Sequence, residues 1–281
     1  MKIAVIFFGL PRQFQFTSKY ITIGKLNIVH YFGHAWNVSD KSISSREIKE
    51  ELVNTYYNGT FQVNNYNQEF ARLSKLYKKY SKEKNNYIFD TLKKGECINQ
   101  WRSLEKGVKL IKNKQYDLII ATRYDSISEI LFKQEKLIEI YNFITKNPGI
   151  INISKTNLGG YHYPSLDDFI FVGDTNSIKR FANKFTRNQI YRLNLEAVDI
   201  DYNNQIEKIV IKQLTTTQKQ WRNMWLEKTF VENINVFHKR IPTYIYREGC
   251  PIRPIVKKEP TNEEIECIYN YSEEYLRKIH A

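Results

Sequence analysis

Apolar and polar positions along the chain follow two rhythms. Short, nearly unbroken apolar runs occur at Lys2 to Phe8, Asn27 to Phe32, Leu118 to Ala121 and Gly149 to Ser154. Such runs predict strands without a solvent face, the kind found inside parallel sheets. Between them, apolar residues recur every three or four positions, the period of an amphipathic helix. Helices are predicted over Ser44 to Asn54 and Leu131 to Thr145, and on the stripe Phe70, Leu73, Tyr77, Tyr80. A further stripe, Cys97, Trp101, Leu104, Val108 and Ile111, leaves Gln100, Arg102 and Lys106 off its apolar face. Two later stripes are Ile178, Phe181, Ala182, Phe185 and Ile206, Ile209, Val210, Leu214. Thr261 and Glu264 form a capping box that predicts a last helix from Glu263 to Lys278.

This alternation of strand and helix predicts an α/β fold, a mostly parallel sheet flanked by helices. No internal repeat or low-complexity linker divides the 281 residues. A single domain is expected, with a core over about 1–215 and a C-terminal extension over about 216–281.

Composition narrows the class without choosing a function. Hydrophobic residues make up 42% of the chain and charged residues 26%, which is ordinary for a globular protein with a sizeable core. The net charge of +13 points to an anionic partner: a nucleotide, a nucleic acid, an anionic lipid surface or an acidic glycan. Cys97, Cys250 and Cys267 make neither a zinc spacing nor a disulfide framework, so a reducing, cytoplasmic setting is expected. The opening MKIAVIFF has too short an apolar run for a secretion signal, and no stretch approaches the ~20 apolar residues of a membrane span. A basic face resting on an anionic membrane remains compatible with this.

Polar residues that end buried strands carry the candidate chemistry. In open α/β sheets ligands bind at the carboxyl ends of the strands. The Leu118 to Ala121 run ends in Thr122, Arg123, Tyr124 and Asp125. Arginine forks onto phosphate oxygens, and aspartate offers hard oxygen to Mg²⁺ or Mn²⁺; the same two residues also suit a plain ion pair. The first strand runs into Gly9-Leu10-Pro11-Arg12, where glycine permits a tight exit and Arg12 suits a phosphate or a surface cap. After the second strand come His34 and Trp36, which suit phosphate and ring stacking, or equally a hydrogen-bonded histidine and a packed tryptophan.

Farther on, Lys155 to Leu166 reads as a loop carrying Tyr161-His162-Tyr163-Pro164, fit to recognise an acceptor or to serve as a plain connection. Asp167 and Asp168 precede a strand that ends at Asp174. Asp174 is placed as the N-cap of the next helix. Asp168, with Asp167 beside it, is placed either as a general base for a hydroxyl or as a turn carboxylate. Near the C-terminus, Arg247 follows the β-like TYIY and is placed to return to a diphosphate.

The order of GLPRQ, HAWN, DLIIATRYDS and DDFIFVGD resembles bacterial and viral glycosyltransferases of the WavE-like lipopolysaccharide-synthesis kind. The resemblance spans roughly residues 1–215 and implies a GT-A-like nucleotide-diphospho-sugar transferase fold. It implies a nucleotide-sugar donor, a glycan or lipid-linked glycan acceptor, and Mn²⁺ or Mg²⁺ on an Asp-x-Asp element. Here Arg123 stands where the first Asp would be, leaving Asp125 to ligate the metal while Arg123 meets phosphate. The Pro-Glu pair of the family's later helical part is represented by Glu207 without the proline. The resemblance thus implies Arg12, Arg123 and Arg247 at the donor diphosphate, and Gly9, His34, Trp36 and Tyr124 at the nucleotide or sugar.

Two other classes compete. A nucleic-acid binder would exploit the +13 charge and twenty tyrosines, yet no nucleic-acid motif occurs and acids interleave the bases. A non-catalytic carbohydrate- or partner-binding module on the same scaffold fits the missing Asp-x-Asp. A kinase or phosphatase is disfavoured, because neither a Walker loop nor a phosphoryl-transfer nucleophile is evident.

Overall fold

Ile3 to Gly9 are buried without interruption, and that continuous apolar strand sits inside a seven-stranded sheet. The computed structural model describes residues 1–38, 44–57, 59–77, 96–156, 165–183, 185–186, 235–237 and 243–245. Its strands are β1 (Lys2–Gly9), β2 (Ile28–Asn37), β3 (Thr60–Asn65), β4 (Leu118–Arg123), β5 (Ser126–Ser128), β6 (Ile150–Thr156), β7 (Ser165–Gly173), β8 (Asn235–Phe237) and β9 (Thr243–Ile245). Its helices are α1 (Phe14–Thr17), α2 (Ser45–Thr55), α3 (Tyr66–Tyr77), α4 (Glu96–Lys109), α5 (Gln134–Lys146) and α6 (Thr175–Asn183).

The sheet runs β3-β2-β1-β4-β7-β6-β8. Pairing is parallel for β1 with β2, β1 with β4, β2 with β3 and β6 with β8, while β7 is antiparallel to both neighbours. Six strands therefore share one direction and β7 alone opposes them, so the expected mostly parallel sheet flanked by helices is found. A second, two-stranded sheet pairs β5 with β9.

Strand alternation divides the core into two layers. Ile3, Val5 and Phe7 join Leu52 of α2 and Leu137, Ile140 and Ile144 of α5 in one cluster. On the opposite face Phe8 meets Phe171, which with Trp101 of α4, Phe181 of α6 and Phe185 forms an aromatic group with centroids 4.6 to 6.3 Å apart. Such rings contribute large buried areas together with preferred geometry. Both predicted stripes, on α4 and on α6, are the faces that supply these rings.

The helix ends follow the sequence closely. Ser44 accepts from Glu47 N–H at 3.1 Å while the Glu47 carboxylate accepts from Ser44 N–H at 2.6 Å, a capping box on α2. Asp174 accepts from the N–H groups of Asn176 and Ser177, both at 2.9 Å, and from Gly149 N–H at 3.1 Å. Burial would raise its pKa, but these bonds and the Ser177 hydroxyl at 2.5 Å outweigh it and lower the value.

Several sequence boundaries move. β2 continues to Asn37, so His34 and Trp36 lie within a strand, not after it. Lys155 pairs with Leu166 and Thr156 with Ser165, so the ends of the expected loop are strand, and Asp167 and Asp168 lie inside β7. Arg102, placed off the apolar stripe, is buried: Nε donates to Glu69 at 3.1 Å, and Nη1 donates to Glu105 at 2.7 Å and to the Phe185 carbonyl at 3.1 Å. Lys109 pairs with the other Glu105 oxygen. The group joins α3, α4 and the chain after α6, and removing one member would strand buried charge. The helices predicted over 206–214 and 263–278 lie outside the described residues, as do Tyr80 and residues 161–164.

Gly33 is required by space. A Cβ there would lie 2.5 Å from the Tyr124 hydroxyl and 2.7 Å from the Phe61 ring, both held in the core. Gly33→Ala should cost about 1–3 kcal/mol in urea unfolding. Gly24→Ala, whose added carbon meets nothing nearer than 3.6 Å, should leave the midpoint close to that of the parent chain.

Candidate functional site

β1 lies between β2 and β4, and the segments that follow β1 and β4 pack together on one face, where Thr22 N–H donates to the Leu131 carbonyl at 2.9 Å and the Thr17 hydroxyl donates to the Tyr124 carbonyl at 2.6 Å. In open α/β sheets the ligand crevice lies outside the carboxyl ends of the strands, the edge that β1 and β4 share here. Register sets what lines it. Phe8 of β1 stands opposite Arg123 on one side and His34 on the other, and Gly9 stands opposite Ala35. Gly9 has φ +102°, a backbone that L side chains rarely adopt, and a Cβ there would meet nothing within 4 Å. The crevice floor is thus bare backbone beside open space. Arg12 is exposed on the loop beyond it, where its N–H donates to the Leu10 carbonyl at 2.8 Å.

Arg123 and Asp125 form a two-point fork. Arg123 Nε donates to Asp125 Oδ1 at 2.9 Å and Nη2 donates to Oδ2 at 2.8 Å. The arginine side chain is 15% exposed and the aspartate 3%. β4 holds Arg123 on a strand end, and the turn through Tyr124 brings Asp125 back beneath the guanidinium. Both carboxylate oxygens are engaged by a cation, and among the described residues no three His, Cys, Asp or Glu side chains gather as a metal site. A divalent ion needs several hard oxygens and would sit against the guanidinium charge. The Asp125 donor set as it stands does not fit Mn²⁺ or Mg²⁺.

β7 approaches the same edge from the opposite direction. Thr122 pairs with Ile170, and continuing that register sets residue 168 level with residue 124. The backbone of Asp167 and Asp168 is therefore at the carboxyl edge of β4. β9 arrives from the far end of the sequence, and Ile245 pairs with Ser126, the neighbour of Asp125. Arg247 lies outside the described residues.

Three expected ligand-binding side chains prove to be core. His34 and Tyr124 are fully buried and Trp36 is 1% exposed. His34 and Trp36 point at α4 because both occupy the same face of a strand that helix covers. Tyr124 packs on Phe7 at 5.5 Å and edge-on to Phe14 at 6.5 Å, with its hydroxyl directed at Gly33. Burial pushes that phenol well above its ordinary pKa, and among the described residues its oxygen has no hydrogen-bond partner. None of the three can touch a ligand with the core closed.

His34 instead anchors a polar network absent from the sequence reading. Its Nδ1 lies 2.8 Å from Ser103 Oγ and its Nε2 lies 2.9 Å from Asn64 Oδ1. Asn64 Oδ1 also accepts from Gln62 at 3.1 Å and from Lys106 at 3.2 Å, so it acts as acceptor and Nε2 carries the proton. Ser103 Oγ accepts from Gly9 N–H at 2.7 Å and lies 2.7 Å from the His34 carbonyl. The serine of α4 thereby fixes the crevice glycine. Lys106, 5.7 Å from the Trp36 ring centre, closes the network. The signals in the sequence were the hydrogen-bonded histidine and packed tryptophan offered for His34 and Trp36, and Lys106 beside the apolar stripe.

Burial lowers the pKa of His34 to about 3, and although the Asn64 contact opposes the shift, Lys106 and Arg102 reinforce it. The unfolded chain takes up a proton below about pH 6.5 that the folded chain refuses until about pH 3. The unfolded state thus binds more protons in that window, and stability is complete above it and falls as pH drops into it. Between pH 7.5 and 5.5 the loss should be about 1.4 kcal/mol. Urea unfolding at the two values should show it, and His34→Gln should remove that part of the difference.

No family model matches the chain, and a search of curated proteins finds no match. Among solved structures, the chain is similar to mouse xyloside xylosyltransferase 1 at TM-score 0.38 and 8% identity, covering 85% of each chain. It is similar to an active-site mutant of LgtC at TM-score 0.42, and to galactosyltransferase LgtC with donor and acceptor sugar analogs at TM-score 0.38. Both are 10% identical, with 98% of this chain and 96% of the other covered. All three are glycosyltransferases, and at these TM-scores none is a guide to the substrate or site of this chain.

Proposed function

We propose that the chain is a glycosyltransferase that moves a sugar from a nucleoside-diphosphate donor to a glycan or lipid-linked glycan acceptor in surface-polysaccharide synthesis. The observation that carries this reading is the shared carboxyl edge of β1 and β4, where a bare glycine backbone beside open space adjoins a forked, partly exposed arginine. The glycine allows close approach by a phosphate, and the arginine offers planar donors to its oxygens. Arg12, exposed on the adjoining loop, supplies a second cation. Arg247 is assigned to the same diphosphate, supported by the pairing of Ile245 beside Asp125.

Transfer asks little further of the protein. The acceptor oxygen bonds to the anomeric carbon, and the bond from that carbon to the diphosphate oxygen breaks with its electron pair leaving on phosphate. Arg123 and Arg12 stabilise the charge that develops there. In an inverting transfer the acceptor proton passes to Asp168, with Asp167 beside it, which the register of β7 supports at this edge. The net charge of +13 favours anionic donors and an anionic membrane carrying the acceptor.

Thermal shift against UDP, GDP, CMP, TDP and their sugars tests the reading. One nucleoside diphosphate should raise the Tm, and its sugar should be turned over in the presence of acceptor glycans. Arg123→Gln, combined with Asp125→Asn so that no buried carboxylate loses its guanidinium, should lower kcat/KM roughly hundredfold. If no nucleotide shifts the Tm, the assignment fails.

A further inference from the structure

Resting on the transferase reading, we infer that Asp125 is a positioning residue for Arg123 and that the diphosphate site works without a divalent ion. Two independent features lead there. The first is the fork itself: both oxygens of a carboxylate that is 3% exposed are held at 2.9 and 2.8 Å by one guanidinium. Such a pair fixes the plane and direction of the arginine, which lysine could not reproduce. The second is the donor set. Mg²⁺ seeks near-octahedral oxygen coordination, and Mn²⁺ favours carboxylate, carbonyl and water ligands. Binding at Asp125 would require the fork to open, taking a buried carboxylate away from its guanidinium and setting the displaced guanidinium beside the incoming ion.

The register explains why this pair belongs to the crevice. Arg123 is opposite Phe8, one residue before Gly9, so the guanidinium is anchored at the level of the bare backbone. A side chain as long as arginine has many rotamers, and ordering it in advance lowers the entropy lost when an anion binds. The serine bond to Gly9 N–H at 2.7 Å orders the floor in the same way. The site has a fixed floor and a fixed cation, which is what a metal ion would otherwise contribute to positioning a diphosphate.

The intact chain can be tested in three arms. Titration of Mn²⁺ alone, followed by its electron spin resonance signal, should show no binding that depends on Asp125. Mn²⁺ binding that Asp125→Asn removes would overturn the inference, whatever the nucleotides do. Calorimetry with the nucleoside diphosphate found by thermal shift should give the same Kd within twofold in EDTA and in Mn²⁺. Tightening of tenfold or more by Mn²⁺ would overturn it, and this arm needs no variant to fold. Finally, Asp125→Asn should lower the preference for nucleoside diphosphate over the bare nucleoside about tenfold in either buffer, and Arg123→Lys should do the same. An unchanged preference would mark the pair as structural only and overturn the positioning role. If no nucleoside diphosphate binds in any buffer, the transferase reading falls, while the Mn²⁺ arm still decides the metal question.

Discussion

The burial of β1 on both faces is the constraint from which the rest of the architecture follows. A strand with no solvent face must have every backbone group paired and a helical layer above and below it. β2 and β4 satisfy the backbone, α4 and α6 cover one side, and α2 and α5 cover the other. Polar function is then excluded from the strand and confined to where it ends. That is why Gly9, Arg12, Arg123 and Asp125, distant in sequence, converge on one edge.

The same logic explains the division of labour among the polar residues. Those on faces covered by α4 are structural: His34, Asn64, Ser103 and Lys106 bond to one another, and Arg102 with Lys109 neutralises Glu69 and Glu105. Buried polar groups are tolerated only in such closed networks. Those beyond the strand ends have backbone room in front of them. Ser103 belongs to both sets, because one of its bonds reaches Gly9 N–H. The core network therefore also shapes the crevice floor.

The site is assembled from the two ends of the sheet's chain path. β7, the one reversed strand, begins at the edge where its neighbours finish, which brings acidic residues 167 and 168 there. The segment expected as an extension contributes β8 to the main sheet and β9 to the strand beside Asp125. Among the described residues no helix is long and apolar enough to cross a membrane.

Local patterns were sufficient for several of the elements. The apolar run of β1, the stripes of α4 and α6, the helix beginning at Ser44 and the Asp174 cap all depend on spacings of a few residues, and propensity and capping act at that range. The Arg123 to Asp125 spacing likewise marked a charged strand end, and left pairing and metal binding equally open. Tertiary structure decided what spacing could not. His34, Trp36 and Tyr124 became core because helices and neighbouring strands, tens of residues away, cover them. Arg102 became buried because Glu69 and Glu105 receive it. Asp125 became the partner of Arg123 because the turn through Tyr124 folds it under the guanidinium. In each case the deciding quantity is desolvation, which depends on what packs against a side chain and is not written in its neighbours along the chain.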